Sequence, residues 1–204
     1  SGDLLDGIGF DTWGVDFGFL TQNGDLLQNP VHHRDRRTEN ILEVVRSKIA
    51  LEDLFQRTGM SLLPINTSAQ LLSLRVQQSP LLDCASTFLM MPDLLAYFLT
   101  GQKSCERTNA ITTQLYDPWK HEWNHEVVNK LDLPVRLLPD LINPGTILGE
   151  VRDSVSKNTG VRRGRVISPC THDTASAVAA VPAQGKDWAF LSSGTWFILD
   201  ALTT

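Results

Sequence analysis

The 204-residue chain carries 18 basic and 23 acidic side chains, a formal charge of -5, and is 42% hydrophobic and 20% charged. That balance excludes a disordered chain or a nucleic-acid surface and supplies apolar residues for one core, or for one domain with part of another. Cys84, Cys105 and Cys170 show no C-x-x-C spacing, so neither a disulfide framework nor a structural zinc site is indicated and a reducing cytoplasm fits best. No apolar run reaches the length of a membrane span and no signal-peptide pattern opens the chain, so the expectation is a soluble, unexported protein.

Residues 8–13 read as an apolar strand, and residues 15–20 alternate with period two as a second one. Asn23-Gly24-Asp25 then signals a hairpin turn. The first strand has no sequence-local partner before it, which leads us to expect a chain cut within its sheet. His32-His33-Arg34-Asp35-Arg36-Arg37 is a short basic run broken by an acid, either a solvated loop or part of a site. Thr38 is placed to cap a helix whose apolar positions are Ile41, Val44, Val45 and Ile49. A second helix, Leu51–Thr58, stops at Gly59, and a third, introduced by Pro64 and Asn66, carries Leu71, Leu74 and Arg75.

Residues 88–91 form a short apolar run stopped by Pro92, and Asp93 starts a helix that ends at Thr100-Gly101. Residues 122–131 read as helical, followed by a connecting stretch punctuated by Pro134, Pro139 and Pro144. Arg165–Ser168 is a short strand that delivers the chain to Thr171-His172-Asp173-Thr174, and residues 175–180 are a small-residue helix. Two final strands flank Gly194-Thr195. Strands and helices interleave throughout, so the class is α/β.

Three constellations carry chemistry. Asp173 lies just past a strand and just before a helix, where open α/β folds place their ligand crevice; the same position also suits a helix cap. Ser192-Ser193-Gly194-Thr195 is a small-residue turn that can offer backbone N–H groups to phosphate oxygens, or serve as a plain hairpin turn. His121-Glu122-Trp123-Asn124-His125 matches H-E-x-x-H, which on one helix would hold zinc and make a metallopeptidase; polar neighbours and the lack of a third ligand favour an exposed helix start. Neither a P-loop nor a G-x-G-x-x-G fingerprint occurs.

Seven stretches in order resemble the rhamnulokinases of the FGGY carbohydrate kinase family. They are residues 8–17; Arg34-Asp35 with Arg37-Thr38; residues 63–67 with Gln70-Leu71; residues 91–101; Thr108-Asn109-Ala110 with residues 112–115; residues 172–178; and residues 191–196. The resemblance implies an actin-like, ribonuclease-H-like fold of two domains closing over a sugar and ATP. Residues 1–184 would be most of the N-terminal domain and residues 185–204 the first hairpin of the C-terminal one. It further implies Asp173 as the base that deprotonates the C1 hydroxyl of a ketose such as L-rhamnulose. Gly14, His172 and Thr174 would hold the sugar, Gly194 and Thr195 would touch the ATP phosphates, and Mg2+ would accompany the nucleotide. Trp13 would stack on a sugar face or lie in the core.

The chain departs from the family pattern where the opening phosphate loop and the adenosine-binding part are missing, and at Ser68-Ala69, where a bulkier pair with an aromatic is usual. It is therefore expected to be inactive as a kinase on its own. A non-catalytic sugar-binding protein of the same fold is the alternative.

Overall fold

The computed structural model describes residues 5–185, 187–194 and 197–201. Strand β1 (Gly7–Ile8) is followed by a loop, then by β2 (Phe17–Leu20), all four residues of which are buried. Helices α1 (Ile41–Lys48), α2 (Leu51–Thr58), α3 (Thr67–Val76) and the single turn α4 (Leu81–Cys84) come next. The chain then forms β3 (Thr87–Met90), α5 (Met91–Thr100), β4 (Ser104–Glu106) and α6 (Arg107–Thr112). After these come β5 (Tyr116–Asp117), β6 (Glu122–Trp123), α7 (His125–Lys130), β7 (Asp140–Ile142), β8 (Thr146–Glu150) and α8 (Asp153–Thr159). The last elements are β9 (Arg165–Ser168), α9 (Asp173–Ala179), β10 (Ala189–Ser193) and β11 (Phe197–Ala201).

The three-stranded sheet runs β1-β9-β8, with β1 parallel to β9 and β8 antiparallel to it. Strand β2 pairs antiparallel with β3, placing Phe17 opposite Met90, and Phe17 meets Phe88 edge-on with ring centroids 5.6 Å apart. Around this pair lies the main core, in which Leu71, Leu72, Leu115, Val127 and Val128 are almost fully buried. Helix α3 has no polar outer face: its residues from Thr67 to Leu74 are all buried, so its hydroxyl and amide groups must find partners inside the protein.

Punctuation by glycine and proline works as the sequence suggests. Gly59 and Gly101 close α2 and α5 in the left-handed conformation, with φ of 66° and 84°, and Gly24 does the same in the turn after β2. Pro92 sits in the first turn of α5, so that helix begins at Met91, two residues before the expected Asp93.

Three expectations are corrected. The strand over residues 8–13 is interrupted after Ile8, because Pro169 follows β9, lies against Gly9 and has no N–H to continue the ladder. Pairing resumes only at Thr12, as an isolated parallel bridge to His172. Thr38 does not cap α1; it is buried in a 3-10 turn that Asp35 caps by accepting from Arg37 N–H at 2.9 Å, and Asn40 leads into α1 at φ 65°. Residues 122–131 are not one helix. The Asp117 carboxylate accepts from the N–H groups of Trp119 and Lys120, making a tight turn that folds Glu122–Trp123 back as β6, and Trp123 is buried with its indole donating to Pro139 O at 2.7 Å. Asn124 then caps the short α7 by accepting from Val127 N–H.

Among the described residues no helix is long and apolar enough to cross a membrane.

Candidate active site

Two loops converge on α6. The first is residues 9–16, leaving β1. Val15 has φ 67°, and Asp16 N–H donates to Gly14 O at 2.9 Å, which is the hydrogen bond of a γ-turn of the rare positive-φ type. A β-branched residue in this conformation is strained and persists only where its surroundings hold it. Here they do. Val15 N–H donates to Thr112 Oγ1 at 3.0 Å, while Val15 O accepts from Thr67 Oγ1 at 2.7 Å and Gln70 Nε2 at 3.1 Å. Gly14 is pressed so closely on α6 that an added Cβ would lie 2.6 Å from Thr112 Cγ2.

Trp13 stands beside this turn with 46% of its surface exposed, so it is not a core aromatic; its indole N–H donates to Asp16 Oδ2 at 2.8 Å. His33 Nδ1 lies 3.1 Å from the same oxygen, whereas Asp16 Oδ1 is buried without a partner among the described residues. Asp16, His32 and His33 offer ligand atoms within 4.8 Å of one another. The two imidazoles are stacked, 4.1 Å apart and 28° from parallel, and His32 Nδ1 accepts from Arg34 N–H.

The second loop connects β9 to α9. Thr12 N–H donates to Thr171 O at 3.0 Å and Asp173 N–H donates to Thr12 O at 2.9 Å, tying this loop to the first. Asp173 is the first residue of α9; His172 occupies the cap position and makes no side-chain cap bond. The Asp173 carboxylate is 52% exposed and, among the described residues, accepts only from its neighbour Thr174, through N–H at 2.6 Å and Oγ1 at 3.2 Å, with His172 Nε2 3.4 Å away. Burial holds the His172 imidazole below its ordinary pKa, against the opposing pull of Asp173 and Glu106. The geometry thus brings Gly14 and His172 onto two mutually bonded loops, with Asp173 and Thr174 opening α9 directly after the second.

Gly194 follows β10, exposed, with nothing within 4 Å of an added Cβ, and Thr195 lies outside the described residues. Among the described residues the one three-member ligand cluster is the histidine-rich trio above, unlike the oxygen set magnesium prefers. The H-E-x-x-H match is dismantled by the turn before β6: His121 has φ 58°, Glu122 is in β6 and His125 opens α7. A cleft of about 470 Å3 opens beside His33, lined by Arg34, Arg36, Arg46 and neighbouring acids, and no residue of the Asp173 loop reaches it.

The N-terminal-domain model of the FGGY family of carbohydrate kinases matches residues 1–180. The chain belongs to the FGGY family. A rhamnulokinase of Enterococcus faecalis is 41% identical over 197 residues, 97% of this chain and 39% of that protein. A rhamnulokinase of Bacteroides thetaiotaomicron is 37% identical over 202 residues, 99% of this chain and 42% of that protein. The FGGY chain thus spans about two fifths of the relatives it matches. Among solved structures, a carbohydrate kinase from Novosphingobium aromaticivorans superposes with a TM-score of 0.79 at 25% identity, over 96% of this chain and 43% of that one. A xylulose kinase from Rhodospirillum rubrum gives 0.79 at 22% identity, over 91% and 39%. The α/β fold is accordingly that of the FGGY sugar kinases, as the resemblance led us to expect.

Sequence reasoning missed the groups that hold the two loops. Thr112, Thr67, Gln70 and Glu106 are polar residues buried among apolar ones, and the visible signal was only that several lie in the stretches carrying the resemblance.

Proposed function

We propose that the protein containing this chain transfers the γ-phosphoryl group of ATP to the C1 hydroxyl of a ketose, with L-rhamnulose as substrate and L-rhamnulose 1-phosphate as product, in rhamnose breakdown in the cytoplasm. Residues 1–184 supply most of the sugar-binding N-terminal domain, and residues 185–204 begin the C-terminal one. The observation that carries the reading is Asp173: its backbone is clamped to Thr12, yet its carboxylate is left half-exposed with no partner among the described residues beyond the adjacent Thr174 and His172. A carboxylate held in place but not consumed by structure is what a general base requires.

In this reaction Asp173 takes the proton of the C1 hydroxyl while O1 bonds to the γ-phosphorus, and the bond to the bridging oxygen breaks to release ADP. Phosphoryl transfer asks the protein chiefly to align the reactants, and the γ-turn with its Gly14 backbone, His172 and Thr174 does this for the sugar. A neutral His172 imidazole can donate to one sugar oxygen. ATP with its magnesium would meet the second domain, where Gly194 and Thr195 would offer backbone N–H groups and a hydroxyl to its phosphates. The 204 residues alone are expected to turn over little or no ATP.

The test is L-rhamnulose phosphorylation by the full-length protein beside Asp173→Asn and a panel of other ketoses. A kcat lower by roughly 100- to 10,000-fold in the variant, with sugar binding retained, supports the base; an unchanged rate removes it. Sugar binding without turnover by the wild type would favour the non-catalytic alternative.

A further inference from the structure

Glu106 is fully buried at the junction of β4 and α6, and its two carboxylate oxygens accept four hydrogen bonds. Oε1 takes Thr108 N–H at 2.9 Å, a helix-capping contact. Oε2 takes three donors: Thr108 Oγ1, Thr171 N–H at 2.9 Å and Thr171 Oγ1 at 3.1 Å. Capping α6 needs only the first of these. The two bonds to Thr171 cross 65 residues of chain and end two residues from Asp173.

The loop between β9 and α9 lost its ladder partners at Pro169, so each of its backbone groups needs another anchor. Glu106 takes the Thr171 N–H, Thr108 Oγ1 accepts from His172 N–H at 3.3 Å, Asn109 Nδ2 donates to Thr171 O at 3.3 Å, and Thr12 O takes the Asp173 N–H. Three of these anchors are on α6 or its cap, and the same helix holds Val15 through Thr112.

We infer that Glu106 is a positioning residue for Asp173: its buried carboxylate clamps the base loop to α6, in one rigid unit with the γ-turn that carries Gly14. This rests on Asp173 being the base, as proposed above. Glutamine at this place has the same volume but replaces one acceptor oxygen by a donor amide, which would face the donors of Thr171 or Thr108. The loop would then be released and the carboxylate of Asp173 would wander from the attacking hydroxyl.

The experiment uses the full-length protein in a double-mutant cycle of Glu106→Gln and Asp173→Asn, with hydrogen exchange of the amides of residues 171–173. Misplacement of a reacting group by about 1 Å costs roughly 100-fold, so Glu106→Gln should lower kcat by about that factor while the ketose KM changes less than about threefold. Residues acting as a unit are non-additive, so in the Asp173→Asn background the same change should cost under about twofold. Exchange at residues 171–173 should rise at least about tenfold above that of the core strands. Equal losses in both backgrounds, or unchanged exchange in this loop, overturn the inference. Should Glu106→Gln fail to fold, Thr171→Ala removes one of the two loop bonds and should show the same non-additivity with a smaller loss. If the wild type phosphorylates no ketose, the proposed function falls, and the exchange measurement alone decides whether Glu106 holds the loop.

Discussion

The backbone N–H of Val15 donates to the hydroxyl of Thr112 at 3.0 Å, joining residues 97 positions apart in sequence. The bond holds a strained γ-turn against α6, and the Thr112 hydroxyl passes its own hydrogen to Asn109 O at 2.8 Å. Thr112→Val keeps the shape and removes the acceptor, leaving a buried N–H unpaired. We expect a loss of about 1–3 kcal/mol in unfolding free energy, measured by urea denaturation. In the full-length protein the ketose KM should also rise, because the turn is free to relax; unchanged values of both would show that the turn holds without this bond.

Gly14→Ala tests the close approach. Its Cβ would stand 2.6 Å from one Thr112 carbon and 2.8 Å from Thr112 Oγ1, so either the turn or α6 must shift. Overpacking of this kind costs about 1–3 kcal/mol, and the melting temperature of the variant should fall accordingly. Adding Thr112→Ser deletes the nearest carbon and should recover part of the loss; no recovery would place the strain elsewhere.

The pH dependence of stability should carry a signature of His172. Its folded pKa lies below the ordinary 6.5, because burial opposes the charged ring. The unfolded chain therefore takes up a proton, as pH falls through that value, that the folded protein resists. The stability involved is fully present above pH 6.5 and is lost as pH falls toward the folded pKa. His172→Gln removes this contribution, so the difference in unfolding free energy between wild type and variant should shift against the wild type on acidification. A difference independent of pH would contradict the assignment.

The H-E-x-x-H sequence should bind no zinc. His121 and His125 lie on opposite sides of the break between β6 and α7 rather than one helical turn apart. His125→Ala should leave ketose phosphorylation unchanged, and elemental analysis of the purified protein should find no stoichiometric zinc; a bound equivalent lost in that variant would reverse this reading.

Much of the fold was legible because its signals are local. Gly59, Gly101 and Gly24 mark left-handed residues at turns, Pro92 marks a helix start, and the alternation of residues 15–20 gives β2. The misreadings share a cause. At residues 122–131 the helical spacing was real, but the Asp117 turn and the burial of Trp123 outweighed it. At residues 8–13 the apolar strand was real, but its neighbour carries a proline in the ladder. In each case the partner that decides, Asp117 and Pro139 in the one and Pro169 in the other, lies outside the segment it overrules.

The sequence by itself determined the α/β class, the ordered motifs that place the chain in the FGGY family, and Asp173 at a strand-to-helix junction, since each depends on residue type and short spacing. Only the tertiary structure decided that Val15 adopts positive φ, that Gly14 is pressed on Thr112, and that Glu106 turns its carboxylate toward Thr171. Those outcomes depend on distant partners, such as Thr112, 97 residues from Val15, and Thr171, 65 residues from Glu106. A buried polar group takes whatever donor or acceptor the packed core brings to it, and that choice is made only when distant elements have docked.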